Sequence, residues 1–275
     1  MATVAGNLNL SERGTDLLSG TPRAHAVDRW IFVAMAVWFI AIVLTGFIPD
    51  SLMKIGMVQT GQRPPFPPIL HAHAVLMGSF LLVLLTQTVL MATGRNAQHM
   101  RLGMLAILLA AALVVVGSIV APTMYHMLWD AAQAAPANKR AELRDQLNVR
   151  DNILLLQIRV GLLFAVFLAI AVKARGHDAG MHKRMMFLAT AMALPAGFDR
   201  IAWLPSTMPF SPMGPDLYTL MAISPMFVWD VARNHRVHPA YLIWLAVNLP
   251  FAIAVHGLWN TSWWHQMAHQ IMGVG

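Results

Sequence analysis

Long apolar segments separated by short polar turns dominate this chain. Seven such segments come close to the roughly 20 residues that a helix needs to cross about 30 Å of hydrocarbon. Because unpaired backbone groups are costly in lipid, each segment is predicted to be an α-helix. The predicted spans are 30–48, 69–93, 102–121, 152–172, 185–204, 217–229 and 241–258, and the sixth is interrupted by Pro225.

The pattern therefore predicts an all-α, polytopic membrane protein with one seven-helix domain at 30–258. The polar segment 1–29 is predicted to be a cytoplasmic tail, with a surface helix near 11–18, and it lacks the apolar core of a signal peptide. A long loop is expected at 122–151, with a short helix near 138–149. The Trp- and His-rich segment 259–275 is expected to be an interfacial tail on the outer side.

Composition supports a membrane protein and excludes thiol chemistry. The 275 residues are 57% hydrophobic and only 11% charged, whereas soluble domains carry about 25% charged residues. The absence of cysteine excludes disulfides, Cys-ligated zinc, iron–sulfur clusters and a catalytic thiol.

The net charge of +7 is a signal of topology, because the basic residues stand in short turns beside apolar segments. They concentrate in the tail 1–29 and around 95–101, 173–184 and 233–236, whereas the opposite short loops hold only Lys54 and Arg63. The bias predicts an N-terminus inside and a C-terminus outside. Expected partners are the lipid bilayer and other subunits of a membrane complex, and no nucleic acid.

Several short motifs lie at the turns between predicted spans. They are HAH at 71–73, GR at 94–95, HMRLG at 99–103, HKRMM at 182–186 and RVHP at 236–239, accompanied by Gln87, Pro195, Arg200 and Asp230. In these motifs the stretch 69–241 resembles an uncharacterised family of bacterial seven-helix membrane proteins. The resemblance implies the seven-helix fold and a bacterial inner membrane, and it brings no known activity with it.

Three residues of the types Asp, Glu, Lys and Arg fall inside predicted spans, where such residues are costly and usually face a bundle interior. They are Arg159, Asp199 and Arg200, and the topology places them at one outer level with His73 and His256. Asp199 can pair with only one of the two arginines. The remaining cation indicates an anionic partner, such as a haem propionate, a carboxylate substrate or a lipid phosphate. Alternatively, Arg200 snorkels to the outer interface and the ion pair only holds helices together.

The leading functional hypothesis is redox-related. Haem b in membranes is held by imidazoles on facing helices, so His73 with His256 or His126 is a candidate outer haem site. His99 with His182 is the corresponding inner pair. A quinone is the alternative cofactor, bound by His73, Arg159 and Asp199. The predicted cofactor-binding residues are His73, Arg159, Asp199, Arg200, His256, His99 and His182.

A metal site is the second hypothesis. His265 and His269 form an H-x-x-x-H pair, whose members share one helix face and can coordinate one zinc ion. His73 or His126 would complete a zinc-dependent intramembrane hydrolase. The 20 methionines and 12 histidines would also suit copper. The predicted metal ligands are His71, His126, His265 and His269.

The third hypothesis is a non-enzymatic accessory subunit that packs against a larger membrane complex. It needs no cofactor and makes the polar residues purely structural. The sequence therefore leaves open whether the protein is an enzyme.

Overall fold

The computed structural model describes residues 16–19 and 23–274, and every regular element in this part of the chain is helical, which confirms the all-α prediction. A 3-10 turn, Leu17–Ser19, precedes nine α-helices. They are α1 (Ala26–Gln59), α2 (Pro68–Ala92), α3 (Asn96–Ala134), α4 (Ala137–Ala174), α5 (Ala179–Ala191), α6 (Leu194–Phe198), α7 (Met213–Asn234), α8 (Pro239–Leu258) and α9 (Ser262–Met272). Most of the predicted surface helix at 11–18 lies outside the described residues.

Within the described residues, five helices are long and apolar enough to cross a membrane, namely α1, α2, α3, α4 and α8. They coincide with the first four predicted spans and the last one. The end of the bundle where α1 begins is called the N-terminal face below, and the opposite end the C-terminal face. Because short turns join the long helices, α2, α4 and α7 end at the N-terminal face, and α3 and α8 end at the C-terminal face.

The fifth predicted span, 185–204, is not one continuous helix. Helix α5 ends at Ala191, the short α6 covers Leu194–Phe198, and the chain is non-helical from there to α7. Pro195 lies in the first turn of α6, where its missing N–H is harmless, but it could not continue α5 as a regular helix. Met192 and Ala193 instead donate to carbonyls three residues back, as in a 3-10 turn.

The predicted loop at 122–151 is almost wholly helical. Helix α3 continues to Ala134 and α4 begins at Ala137, so only Ala135 and Pro136 separate them. Pro136 begins α4 as its N-cap, a position that needs no free backbone N–H. The helix expected near 138–149 therefore exists, but it is the first part of α4.

The main core lies between α1, α2, α3, α4, α5, α7 and α8. Its largest members include Phe39, Phe80, Phe167 and Phe187, each at most 1% exposed. Phe39 meets Phe187 edge to face, with ring centroids 5.8 Å apart, so α1 is packed directly on α5. A smaller apolar cluster at the C-terminal face packs α9 against α4 and the end of α8.

Helix α1 touches α6 backbone to backbone. Gly46 is buried, and a Cβ atom at this position would collide with the carbonyl oxygen of Gly197. Small residues permit such close approach between helices in membranes. The contact fixes α6 beside α1 although α6 has only 5 residues.

Candidate functional site

A buried polar cluster joins α4, α7 and α8 near the C-terminal face. The Nη1 of Arg159 donates to both carboxylate oxygens of Asp216, at 2.9 and 3.0 Å. Its Nε and Nη2 donate to Oδ1 of Asn248, at 3.2 and 3.1 Å. Arg159 is only 6% exposed and therefore has little access to water. The carboxylate of Asp216 balances its buried positive charge.

His256 extends this cluster from the last turn of α8. Its Nε2 lies 3.1 Å from Oδ2 of Asp216. Because a carboxylate only accepts, this ring nitrogen carries the proton in the neutral imidazole, and Nδ1 becomes the acceptor. We call Arg159, Asp216, Asn248 and His256 the Arg159 cluster.

Local structure explains how these side chains meet. Asp216 lies in the first turn of α7, where the helix dipole favours a carboxylate. Asn248 and His256 are two helical turns apart and so project from the same face of α8. Arg159 reaches both helices from the apolar part of α4.

A cavity of about 110 Å³ lies beside the Arg159 cluster. Arg159, Asp216 and Asn248 form its polar end, while its other walls are mainly apolar. Three of the wall residues, Leu220, Leu245 and Leu249, are about half exposed on the outside of the bundle. The cavity therefore opens toward the surface that would face lipid. Its volume is of the order of the ~150 Å³ cavity that holds a benzene ring in an engineered protein.

The structure separates Asp199 and Arg200 from this cluster. Arg159 pairs with Asp216 instead of Asp199, and Arg200 lies with its Nε 3.4 Å from Oδ2 of Asp50. Asp199 is exposed. The expected pairing of Asp199 with one arginine is therefore wrong, and neither arginine is left without a carboxylate, because Asp216 and Asp50 take these places. Sequence reasoning missed Asp216 because it stands one residue before the predicted sixth span.

The histidines predicted for an outer haem are spread over different surroundings. His256 belongs to the Arg159 cluster. The Nδ1 of His73, on α2, is buried without a hydrogen-bond partner among residues 16–19 and 23–274. His71 is exposed, with its ring edge-on to Phe66 at 6.1 Å, and the ring of His126 lies 6.4 Å from that of Tyr125. In the described chain no hydrogen bond, ion pair or ring contact joins any of these three to His256.

The predicted inner pair is brought together. The rings of His99 and His182 lie 6.4 Å apart at the N-terminal face, nearly perpendicular to each other. Nδ1 of His182 is 2.8 Å from the carbonyl oxygen of Ala171 and therefore donates to it. Its Nε2 is left unprotonated, which is the usual state of a ligating imidazole.

The H-x-x-x-H pair of α9 faces a buried carboxylate. Nδ1 of His265 lies 2.8 Å and Nε2 of His269 3.6 Å from Oδ2 of Asp151, which is fully buried. The hydroxyl of Tyr125 donates to the other oxygen of Asp151 at 2.6 Å. These contacts fasten α9 to α3 and α4. Within the described ranges, no group of three or more His, Asp, Glu or Cys side chains is arranged to hold a metal.

A second charged cluster, which sequence reasoning did not single out, lies at the N-terminal face. Arg184 is fully buried and forms ion pairs with Asp16 and Asp230. Burial alone would raise the pKa of Asp16, but the hydrogen bonds and charge of Arg184 hold it well below its usual range. Burial, followed by the charge of Arg184, lowers the pKa of nearby His238 to about 4. Arg184 lies in the HKRMM motif and Asp230 accompanies the turn motifs, so their place in these motifs is the sequence feature that could have identified the cluster.

Comparison of the chain with protein-family models, with curated proteins and with solved structures finds no match. The resemblance to a seven-helix family stays a prediction. Function must therefore be argued from the site itself.

Proposed function

We propose that seven segments of this chain cross a bacterial inner membrane, with the N-terminal face inside and the C-terminal face outside. The five long apolar helices supply five crossings. Helix α7, with 22 residues, is long enough for a sixth. Helices α5 and α6 together supply the seventh, and the break between them is tolerated because Leu188 and Leu194 are buried in protein. The basic turns at the N-terminal face support this orientation.

We further propose that the protein binds a lipid-soluble carbonyl compound of the quinone class at the Arg159 cluster. The observation that carries this proposal is the cavity, whose walls are apolar and open to the lipid-facing surface and whose polar end holds Arg159, Asp216 and Asn248. A quinone fits this arrangement, because its ring and tail are apolar like the walls and its two carbonyl oxygens can accept hydrogen bonds at the polar end. Few but well-placed polar groups in an apolar pocket are typical of small-molecule sites.

The chemistry of the cluster suits a carbonyl that takes up a proton. The amide oxygen of Asn248 is used by Arg159, so its nitrogen is the donor left for a ligand. Asp216 accepts from both Arg159 and His256, which gives the imidazole a fixed proton on Nε2. If Nδ1 of His256 takes up a proton from water, Nε2 can release its own proton to Asp216, which can pass it to the carbonyl oxygen. Converting a quinone to a quinol takes two electrons and two protons. A redox partner in the membrane complex would supply the electrons, and two successive transfers through His256 and Asp216 would supply the protons from water.

Haem receives less support than quinone at this site. Nε2 of His256 already donates to Asp216, so this nitrogen is not available to ligate a haem iron. His99 and His182 remain the better-placed imidazole pair for haem. An optical spectrum of the purified protein, oxidised and reduced with dithionite, separates the two cofactors. A Soret band with sharp reduced α-bands identifies haem, and a spectrum without them leaves the quinone proposal in place.

Quinone binding can be tested in nanodiscs by titrating short-chain benzoquinone and naphthoquinone and following tryptophan fluorescence. Trp244 lines the cavity and acts as the reporter, and Trp244→Phe assigns its signal. Leu245→Trp fills the cavity without altering the polar cluster, and Leu242→Trp places the same side chain on an exposed part of α8 that does not line the cavity.

Saturable quenching in the wild type, weakened at least tenfold by Leu245→Trp and kept by Leu242→Trp, is the expected result. Asn248→Leu should weaken binding similarly, because it removes the donor to the carbonyl. Quenching that is absent, or identical in the two tryptophan variants, would contradict the proposal.

A further inference from the structure

Three arginines from separate parts of the chain come together at the C-terminal face. Arg63 lies in the connection between α1 and α2, Arg150 lies in α4 just before the fourth predicted span, and Arg200 follows α6. Arg150 is close enough to the other two for both positive charges to act on it. We call these three residues the arginine group. It is distinct from the Arg159 cluster.

The guanidinium groups of the arginine group are short of hydrogen-bond acceptors. The Nε atom of each is shielded from solvent and makes no hydrogen bond in the described part of the chain. Arg200 is the best supplied of the three, because its Nε lies in an ion pair with Asp50 and its Nη1 donates to the carbonyl oxygen of Ala196. The side chains of Arg63 and Arg150 make no hydrogen bond at all to residues 16–19 and 23–274. A shielded charged donor without an acceptor is costly, so such atoms call for a ligand, a water or an ion.

Positive charge exceeds negative charge around the arginine group. The carboxylate beside Arg200 is Asp50, and Lys54 shares it at 2.6 Å. Asp199 is the second carboxylate whose charge interacts with that of Arg200. Four cations, the arginine group and Lys54, therefore face two carboxylates.

Aromatic rings fix the orientation of two of the arginines. The guanidinium of Arg63 stacks over Phe66 at 4.6 Å, and that of Arg200 over Phe47 at 4.5 Å. Stacking occupies the face of a guanidinium and leaves its N–H groups pointing outward in the plane. Such a planar fork matches the oxygens of a phosphate, to which arginine donates two parallel hydrogen bonds.

We propose that the arginine group is a phosphate-binding site. One phosphate accepts hydrogen bonds from guanidinium N–H groups that have no other acceptor, and its charge relieves the repulsion among the three cations. The group lies at the ends of apolar helices, and the neighbouring part of α1 exposes Ile48, Leu52 and Met53. This is the level at which lipid phosphates are found, and a free phosphate offers the same chemistry.

Thermal unfolding of the delipidated protein in a neutral detergent tests the proposal. Inorganic phosphate, phosphatidylglycerol and phosphatidylcholine are added separately, at constant ionic strength. Arg150→Gln removes the charge that interacts with both other arginines. Arg63→Gln removes a charge from the connection between α1 and α2, where a substitution is less disruptive to folding than one within a helix. Arg144→Gln, at an exposed position of the same helix, is the matched control.

Phosphatidylglycerol is expected to raise the unfolding temperature of the wild type, with an affinity at least tenfold lower in Arg150→Gln and in Arg63→Gln and unchanged in Arg144→Gln. A comparable rise with inorganic phosphate alone identifies the free anion as the ligand. A rise with phosphatidylglycerol only, above that with phosphatidylcholine, identifies an anionic lipid. Without any anion, Arg150→Gln should unfold at a higher temperature than the wild type, because repulsion is reduced.

Two results would overturn the proposal. One is a wild type that responds to neither phosphate nor phosphatidylglycerol. The other is an equal response in Arg150→Gln and Arg144→Gln, which would place the anion elsewhere on the protein. Neither result bears on quinone binding at the Arg159 cluster.

Discussion

Arg184 binds Asp16 through two hydrogen bonds, of 2.8 and 2.9 Å, and so ties a segment before α1 to the start of α5. Arg184 is completely buried, and its other carboxylate partner is Asp230 of α7. The amide nitrogen of Asn234 also reaches Asp16, at 3.3 Å. The N-terminal segment is therefore an integral part of the charged cluster at the N-terminal face.

Asp16→Asn should lower the free energy of unfolding by about 1.5–3 kcal/mol, the usual contribution of a hydrogen bond to a charged group. The loss should stay in this range because Asp230 still balances the charge of Arg184. Denaturant unfolding in mixed micelles measures the change. Asp130→Asn, at an exposed position of α3, should cost less than half a kcal/mol. Equal losses in the two variants would show that the Asp16 ion pair contributes little.

His238 should make stability depend on pH between about 6.5 and 4. Its Nδ1 accepts the backbone N–H of Ala240 at 3.1 Å and so caps α8, which requires a neutral ring. Burial, followed by the charge of Arg184, lowers the pKa of His238 from 6.5 to about 4 in the folded protein. The unfolded chain therefore binds more protons in this window, and stability falls as the pH falls.

The measurement is the unfolding temperature of the wild type and of His238→Asn at several pH values between 7 and 4. Asparagine is a good cap and does not titrate. The wild type should lose stability on acidification in this window, and the variant should lose less. Parallel curves would assign the acid sensitivity to other groups.

Gly46→Ala should destabilise the bundle, because the new Cβ would collide with the carbonyl oxygen of Gly197. Backbone cannot move aside as a flexible side chain can, so we expect a cost of about 1–3 kcal/mol. Gly78→Ala is the matched control, since a Cβ at Gly78 meets nothing within 4 Å. Alanine also favours a helix over glycine, so the control should be neutral or slightly stabilising. The free energy of unfolding is measured for both variants in micelles. A lower value for Gly78→Ala than for Gly46→Ala would rule out the close contact.

Tyr125→Phe should cost about 1–3 kcal/mol, because Asp151 is fully buried and would lose the hydroxyl that donates to it. Tyr218→Phe removes a hydroxyl whose acceptor, the carbonyl of Pro205, is exposed, and should cost less. Denaturant unfolding in micelles measures both costs. Limited proteolysis near residue 260 is a second measurement, because Asp151 also holds α9 through His265. Cleavage should accelerate in Tyr125→Phe only.

The sequence pattern predicts the long apolar helices well, because a run of about 20 apolar residues has few alternatives to a membrane helix. It fails where one residue changes the backbone, as at Pro195, or where a helix continues beyond the membrane, as in α3 and α4. Neither change alters the hydropathy of the span itself.

The candidate site could be predicted only in part. Arg159 and His256 stand out because ionisable residues are rare in apolar segments. Asp216 does not, since it lies at a helix start, where carboxylates are ordinary. Which carboxylate meets Arg159 depends on how α4, α7 and α8 pack, and spacing along the chain does not encode this. The partners of Arg184 illustrate the same limit, because Asp16 lies far from it in sequence.

Helices α3 and α4 have 39 and 38 residues, so each is roughly 57 Å long, about twice the thickness of the hydrocarbon layer. Their continuation past 121 and before 152 forms a helical hairpin that extends roughly 20 Å beyond the predicted spans. Helix α9 braces it through Asp151 and the apolar cluster around Trp264. An antibody fragment raised against this hairpin would bind clear of the detergent belt and give so small a membrane protein a rigid fiducial for particle alignment in electron microscopy.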